Sequence, residues 1–365
     1  MSAALIAERL EIVAGLALAV AVFYDLFQTV ILPRPAVKKF ALARYLLRTE
    51  WILWRWFGER IEAIPRREGW LATFGPAGVL TMFGTWALVL ILAYALIIDG
   101  VHEELHPAPD SFGTSLYFSA GTLVPLSYGD FVPEGVPARA ATIAESATGV
   151  ILAALAITLL FSLYESFQRR EEMVVQLDAV AGAPPSGVQI LETLGEPGMD
   201  DQLTKTFEEW RGWAAAVLES HLAYPLLLFF RSSHDNEAWL NSFGAVMDAA
   251  ILMMSTIEGK SDGTARLMFT VGSHLVEDIS WYFGYKRVDD PIVERMEFNQ
   301  ARDRLKAAGY HCRGEDEAWM KFAHLRSKYA SQLNQLARRL SIIPAQWIGD
   351  RSYLPHRDRP GRRLR

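Results

Sequence analysis

The stretch Ser115-Leu-Tyr-Phe-Ser-Ala-Gly-Thr-Leu-Val-Pro-Leu-Ser-Tyr-Gly-Asp130 lies between two long apolar segments and decides how the rest of the chain reads. About half of the 365 residues are apolar, and they are concentrated in a few blocks. Crossing a bilayer takes about 20 consecutive, mostly apolar residues. Three segments qualify: 12–32, 77–98 and 143–161. The first carries Asp25 and Gln28, the second has no charge through its apolar run, and the third has Glu145 near its start. The length suffices for a membrane domain and one soluble domain besides.

The net charge of −6 hides a partition along the chain. Residues 34–75 hold 9 Lys/Arg against 4 Asp/Glu, whereas 101–140 hold 1 against 5. Short loops rich in Lys and Arg stay cytoplasmic. The partition therefore predicts 34–75 inside, 101–140 outside, and everything after the third span inside again. Ala19-Val-Ala21 has the small residues of a signal-peptide cleavage site, but the apolar run continues to Leu32, so a retained first span is expected. Cys312 is the single cysteine, which excludes an intrachain disulfide framework.

The quoted stretch resembles the pore loop of potassium channels, in particular bacterial two-pore-domain-like members. Thr122, Tyr128, Gly129 and Asp130 stand where the signature T-x-x-T-V-G-Y-G-D has Thr, Tyr, Gly and Asp, and Leu116-Tyr117-Phe118-Ser119 looks like the preceding pore helix. Filters of that family are four backbone loops whose carbonyl oxygens replace an ion's water shell. Arg169-Arg-Glu-Glu and Leu177-Asp-Ala…Gly182-Ala-Pro-Pro185, with His221-Leu-Ala-Tyr-Pro and Phe230-Arg-Ser-Ser-His-Asp-Asn, are similar to the region C-terminal to the inner helix in those bacterial proteins. The resemblance implies an all-α membrane protein: three transmembrane helices, a re-entrant pore loop between the second and third, and a cytoplasmic helical bundle. It also implies a homotetramer in the cell inner (plasma) membrane, multi-pass, with the C-terminal domain cytoplasmic.

The departures are chemical. Pro125, Leu126 and Ser127 replace the family's Thr, Val and Gly. Proline offers no hydroxyl to an inner ion site. A serine where the glycine takes a left-handed backbone costs about 1 kcal/mol or more. The expected filter, Thr122 with Pro125 to Asp130, therefore belongs to a cation pathway with weakened potassium preference. The permeant species is a monovalent cation such as K+, and no cofactor is expected. Gly149 follows Gly129 by twenty residues, the spacing of the family's inner-helix glycine hinge; close helix packing is the competing reading. With Ala153, Ile157 and Phe161 it marks a drifting helical face expected to line the pathway and gate it. Glu103, Glu104 and Asp110 read as an acidic outer vestibule that concentrates cations, in preference to a metal site with His102 and His106.

The domain organisation expected is a first transmembrane helix (1–33), a basic interfacial segment (34–75), the pore domain (76–168), a linker (169–199), a cytoplasmic helical domain (200–345) and a basic tail (346–365). Tryptophans alternate with cations through 36–64 as in a helix lying in the membrane interface, so membrane lipids are partners along with the chain itself; nucleic acid is not. In the soluble part, helices are predicted near 200–231, 236–258, 264–284, 290–309 and 315–341. His221, His234, Asp235, Asp248, His274, Glu277 and Asp278 could carry chemistry there, against the plainer reading of buried or capping side chains. No glycine-rich nucleotide loop follows a strand, and no enzyme is expected. Three classes remain open on the sequence: a conducting channel, a non-conducting scaffold or sensor derived from one, and an enzyme or transporter with its site in the bundle.

Overall fold

The computed structural model describes residues 3–32, 42–126, 128–232, 238–259, 262–343 and 347. The expectations placed on Ser127, on 33–41, on His234 and Asp235, and on the tail beyond 347 lie outside the described residues. Three helical stretches, Leu5–Ile31, Ile64–Asp99 and Val136–Ala181, are long and apolar enough to cross a membrane. They contain the expected spans but for Leu32, and the chain is an all-α membrane protein. It divides into two compact units: residues 1–57 with 73–164, and 58–72 with 165–365.

In the first unit, α1 (Ala3–Leu26) continues as a π-helical turn over Phe27–Ile31. Helix α2 (Leu42–Gly58) follows; α3 (Ile64–Ala72), which belongs to the second unit, leads to α4 (Phe74–Asp99). The single helical pattern read over 36–64 thus stops at Gly58, and a turn separates it from α3. Helices α1 and α4 run antiparallel at close range, since a Cβ on Gly15 would overlap the carbonyl of Ala93. Small residues permit such approach, which is how helices gain packing in lipid. Buried Asp25 binds three helices together: its Oδ2 accepts the Trp86 indole N–H at 2.8 Å and the Ala43 backbone N–H at 3.2 Å. Ala43 lies in the first turn of α2, whose unpaired N–H groups favour a carboxylate.

Helix α5 (Phe112–Leu123) lies between α4 and the 46-residue α6 (Val136–Ala181). A two-residue ladder of β1 (Leu105–His106) and β2 (Val132–Pro133) closes the connection. Helix α6 continues without a break through Glu165–Glu172 and ends at Gly182, whose φ of 71° stops it in a left-handed turn.

In the second unit, α7 (Gly187–Leu194) lies within the stretch read as a linker, yet Val188, Ile190, Leu191 and Leu194 are wholly buried. Helix α8 (Asp200–Ala223) stops eight residues before the predicted end because Tyr224-Pro225 removes the next donor. Helix α9 (Trp239–Ser255) is buried almost all round, as suits a central core helix. Around it stand α7, α8, α10 (Gly263–Phe283), α12 (Glu315–Arg326) and α13 (Ala330–Arg339), while α11 (Arg295–Ala307) packs on α7 and α12. The predicted 315–341 helix breaks at 327–329, where the chain turns Tyr329 into the core.

That break serves a buried polar triad. Asp248 on α9 accepts the Tyr329 hydroxyl at 2.5 Å and the Arg326 Nε–H at 2.9 Å. Burial and the neighbouring carboxylate push the Tyr329 phenol well above its ordinary value, so it stays protonated and donates to Asp248. Tyr329→Phe is expected to cost about 1–2 kcal/mol. Asp248→Ala, which strands Arg326, is expected to cost about 3–5 kcal/mol. Thermal unfolding of the detergent-solubilised protein should show that order; equal midpoints would contradict it.

Candidate functional site: the α5 segment and its supports

Helix α5 can stand between apolar helices because its polar residues share one face. Ser115, Ser119 and Thr122 follow an i, i+4, i+7 spacing and are all buried. The Ser115 hydroxyl donates to Asp99 Oδ1 at 2.7 Å. Ser119 reaches the Ile91 carbonyl at 2.8 Å on α4 and, in a very short contact, Glu145 Oε1 on α6. The Thr122 carbonyl accepts the Ser146 hydroxyl at 3.2 Å. Gly149 closes the packing: a Cβ there would run into the Leu123 carbonyl. Between the two readings of this glycine, the close approach gives it a packing role.

After α5 the backbone is irregular. The Leu126 N–H donates to the Gly121 carbonyl at 2.8 Å. Pro125 lies at φ 21°, a strained setting for a ring that prefers about −65°. Gly129 lies at φ 79°, where a side chain would be strained and glycine is free. Val124, Leu126 and Tyr128 are 57%, 49% and 68% exposed on the single chain. Tyr117 and the Asp130 carboxylate are hydrogen-bonded, tying the far end of the segment back to α5.

The predicted vestibule residues divide. Glu103 is exposed, as expected. Glu104 instead turns inward: its Oε2 accepts the Ala138 N–H at 3.0 Å and its carbonyl accepts the Glu134 N–H at 2.8 Å. The reason is that the first N–H groups of α6 need acceptors. Asp110 accepts the Thr114 hydroxyl at 2.6 Å, and that bond lowers its pKa below the ordinary carboxylate value. Ala153, Ile157 and Phe161 are exposed, on a side of α6 away from buried Leu152, Leu159 and Leu163. Among the described residues, no group of three His, Cys, Asp or Glu could hold a metal ion.

The soluble-domain candidates are mostly structural or solvent-facing. His274, Glu277 and Asp278 are exposed. Buried His221 accepts from Arg170 at Nε2, 3.2 Å away, because a guanidinium can only donate. Its proton therefore sits on Nδ1, beside Ser220 Oγ at 3.1 Å. Burial and the Arg170 charge hold its pKa well below the ordinary imidazole value, so it stays neutral. Arg170, quoted in the sequence only within the Arg169-Arg-Glu-Glu resemblance, is fully enclosed. It donates to the carbonyls of Leu227 at 3.0 Å and Phe230 at 2.6 Å and lies 5.2 Å from the Trp239 ring. Sequence reasoning also missed Ser115, Ser119 and Ser146 as supports; the spacing of Ser115, Ser119 and Thr122 was the available signal.

Residues 81–166, which take in most of α4, all of α5 and α6 as far as Ser166, match the family described as Ion channel. No curated protein and no solved structure matched the chain. For this part of the chain the family match supports a pore-loop ion channel embedded in a membrane, a transporter-type protein.

If the Gly149 approach fixes α6 against α5, Gly149→Ala overpacks it, at an expected cost of about 1–3 kcal/mol. The readout is a lower thermal midpoint of the detergent-solubilised protein. An unchanged midpoint would mean that the two helices do not meet there.

Proposed function

We propose that the chain is one subunit of a homotetrameric cation channel of potassium-channel type, with a filter of altered chemistry and weakened potassium preference. The observation that carries the reading is the backbone at 124–126 and 128–130: irregular, with exposed apolar side chains, placed between two apolar helices and inside the family match. One such segment per chain supplies a quarter of a ring, and closed cyclic symmetry is the usual way to complete one. The exposed face with Ala153, Ile157 and Phe161 then lines the inner pathway, where apolar rings gate by dewetting. Glu103 and Asp110 remain as the vestibule, and the helical bundle regulates the gate.

Pro125 and Ser127 set the selectivity in this reading. Restoring a hydroxyl and a glycine (Pro125→Thr with Ser127→Gly) should raise potassium preference over sodium, and Ser127→Gly alone should do less. Reversal potentials under bi-ionic conditions for parent, single and double variants measure this. A parent that already excludes sodium, with a double variant no different from it, would contradict the assignment.

The orientation comes from the charge partition: 34–75 and 169–365 are cytoplasmic, 101–140 external, in the inner membrane. A cysteine placed at Glu103 should react with an impermeant thiol reagent added to intact cells, and one at Arg66 should not. The reverse pattern would overturn the topology.

A further inference from the structure

Glu145 is the one acidic residue of the α6 apolar stretch, and it is wholly buried. Its Oε1 meets Ser119, while its Oε2 has no hydrogen-bond partner among the described residues. A buried carboxyl with half its capacity unused is costly, and ionisable groups inside membrane helices are by default functional. Glu145 is not the sole anchor of α5: Ser119 has a second partner in the Ile91 carbonyl, and Ser115 and Thr122 hold α5 by other bonds. The Glu145–Ser119 bond joins the middle of α5 to α6 through two side chains, while Ser146 reaches the Thr122 carbonyl at the end of α5. Ser119 lies one helical turn before Thr122, and Glu145 lies one turn before Gly149. The bond therefore joins the helix that opens the filter to the helix proposed to gate it.

We propose that Glu145 is a positioning residue for the filter, acting through Ser119 to hold α5 in the register that the selective conformation requires. The inference rests on the channel reading above and adds to it a residue of α6 that controls selectivity without touching the ion. Glutamine can make the same bond, as it both donates and accepts; valine cannot.

The test compares the full-length parent with Glu145→Gln, Glu145→Val, Ser119→Ala and the Glu145→Val/Ser119→Ala double variant. Hydrogen exchange of the detergent-solubilised protein needs no conduction. Amides 119–123 should exchange about tenfold faster in Glu145→Val, as expected for a lost bond to a charged or strongly polar group. They should match the parent in Glu145→Gln. Losing one shared bond twice changes nothing further, so the double variant should equal the faster of the two singles. Reversal potentials in bilayers should shift in Glu145→Val and Ser119→Ala and return to the parent value in Glu145→Gln. Parent-like exchange in Glu145→Val, a Gln variant that behaves like Val, or altered exchange with unaltered selectivity in a conducting parent would each overturn the proposal. A parent that passes no ions would instead refute the channel reading and, with it, the claim on selectivity; the exchange data would then show whether the bond orders α5 at all.

Discussion

Irregular backbone cannot face lipid, because each unpaired N–H or carbonyl group there costs several kcal/mol. Residues 124–126 and 128–130 are irregular backbone set between α4 and α6, two helices apolar enough to cross a membrane. Such backbone is tolerated only when it is buried in protein or lines a water-filled cavity. The single chain leaves Val124, Leu126 and Tyr128 largely uncovered. A ring of identical segments around an aqueous axis satisfies both conditions at once, and this requirement ties the fold to the proposed function.

The same requirement explains the supports. A helix ending at the proposed filter has to be held against its neighbours by something more directional than apolar contact, because lipid competes for apolar contact equally well. The buried stripe of Ser115, Ser119 and Thr122 supplies that directionality through Asp99, the Ile91 carbonyl, Glu145 and Ser146. Asp25 does comparable work for α1, α2 and α4. In the second unit, Arg170 near the end of α6 is held by two carbonyls, His221 and the Trp239 ring.

The spans were legible because hydropathy needs no partner: a run of some 20 apolar residues has few fates. The breaks at Tyr224-Pro225 and at 327–329 differ in this respect. The first is a local signal that was passed over. The second depends on Tyr329 reaching Asp248, 81 residues away, which no local pattern encodes. Glu104 shows the same limit. Its carboxyl was counted with the exposed acids, but its place is decided by the N-terminus of α6, 34 residues downstream. Glu145 was visible as a charge in a span, yet its partner on α5 appears only when the helices are packed. Arg170 was hidden by its neighbours, since a run of arginines and glutamates ordinarily marks a solvated face.

The proposed pore stands on one chain supplying one quarter of a ring. Imaging the detergent-solubilised particle, with its mass measured in parallel, tests this most directly. Four chains are predicted about a single fourfold axis, with the 124–130 segments meeting on it. A stable monomer, or a dimer whose two segments do not share an axis, would contradict it.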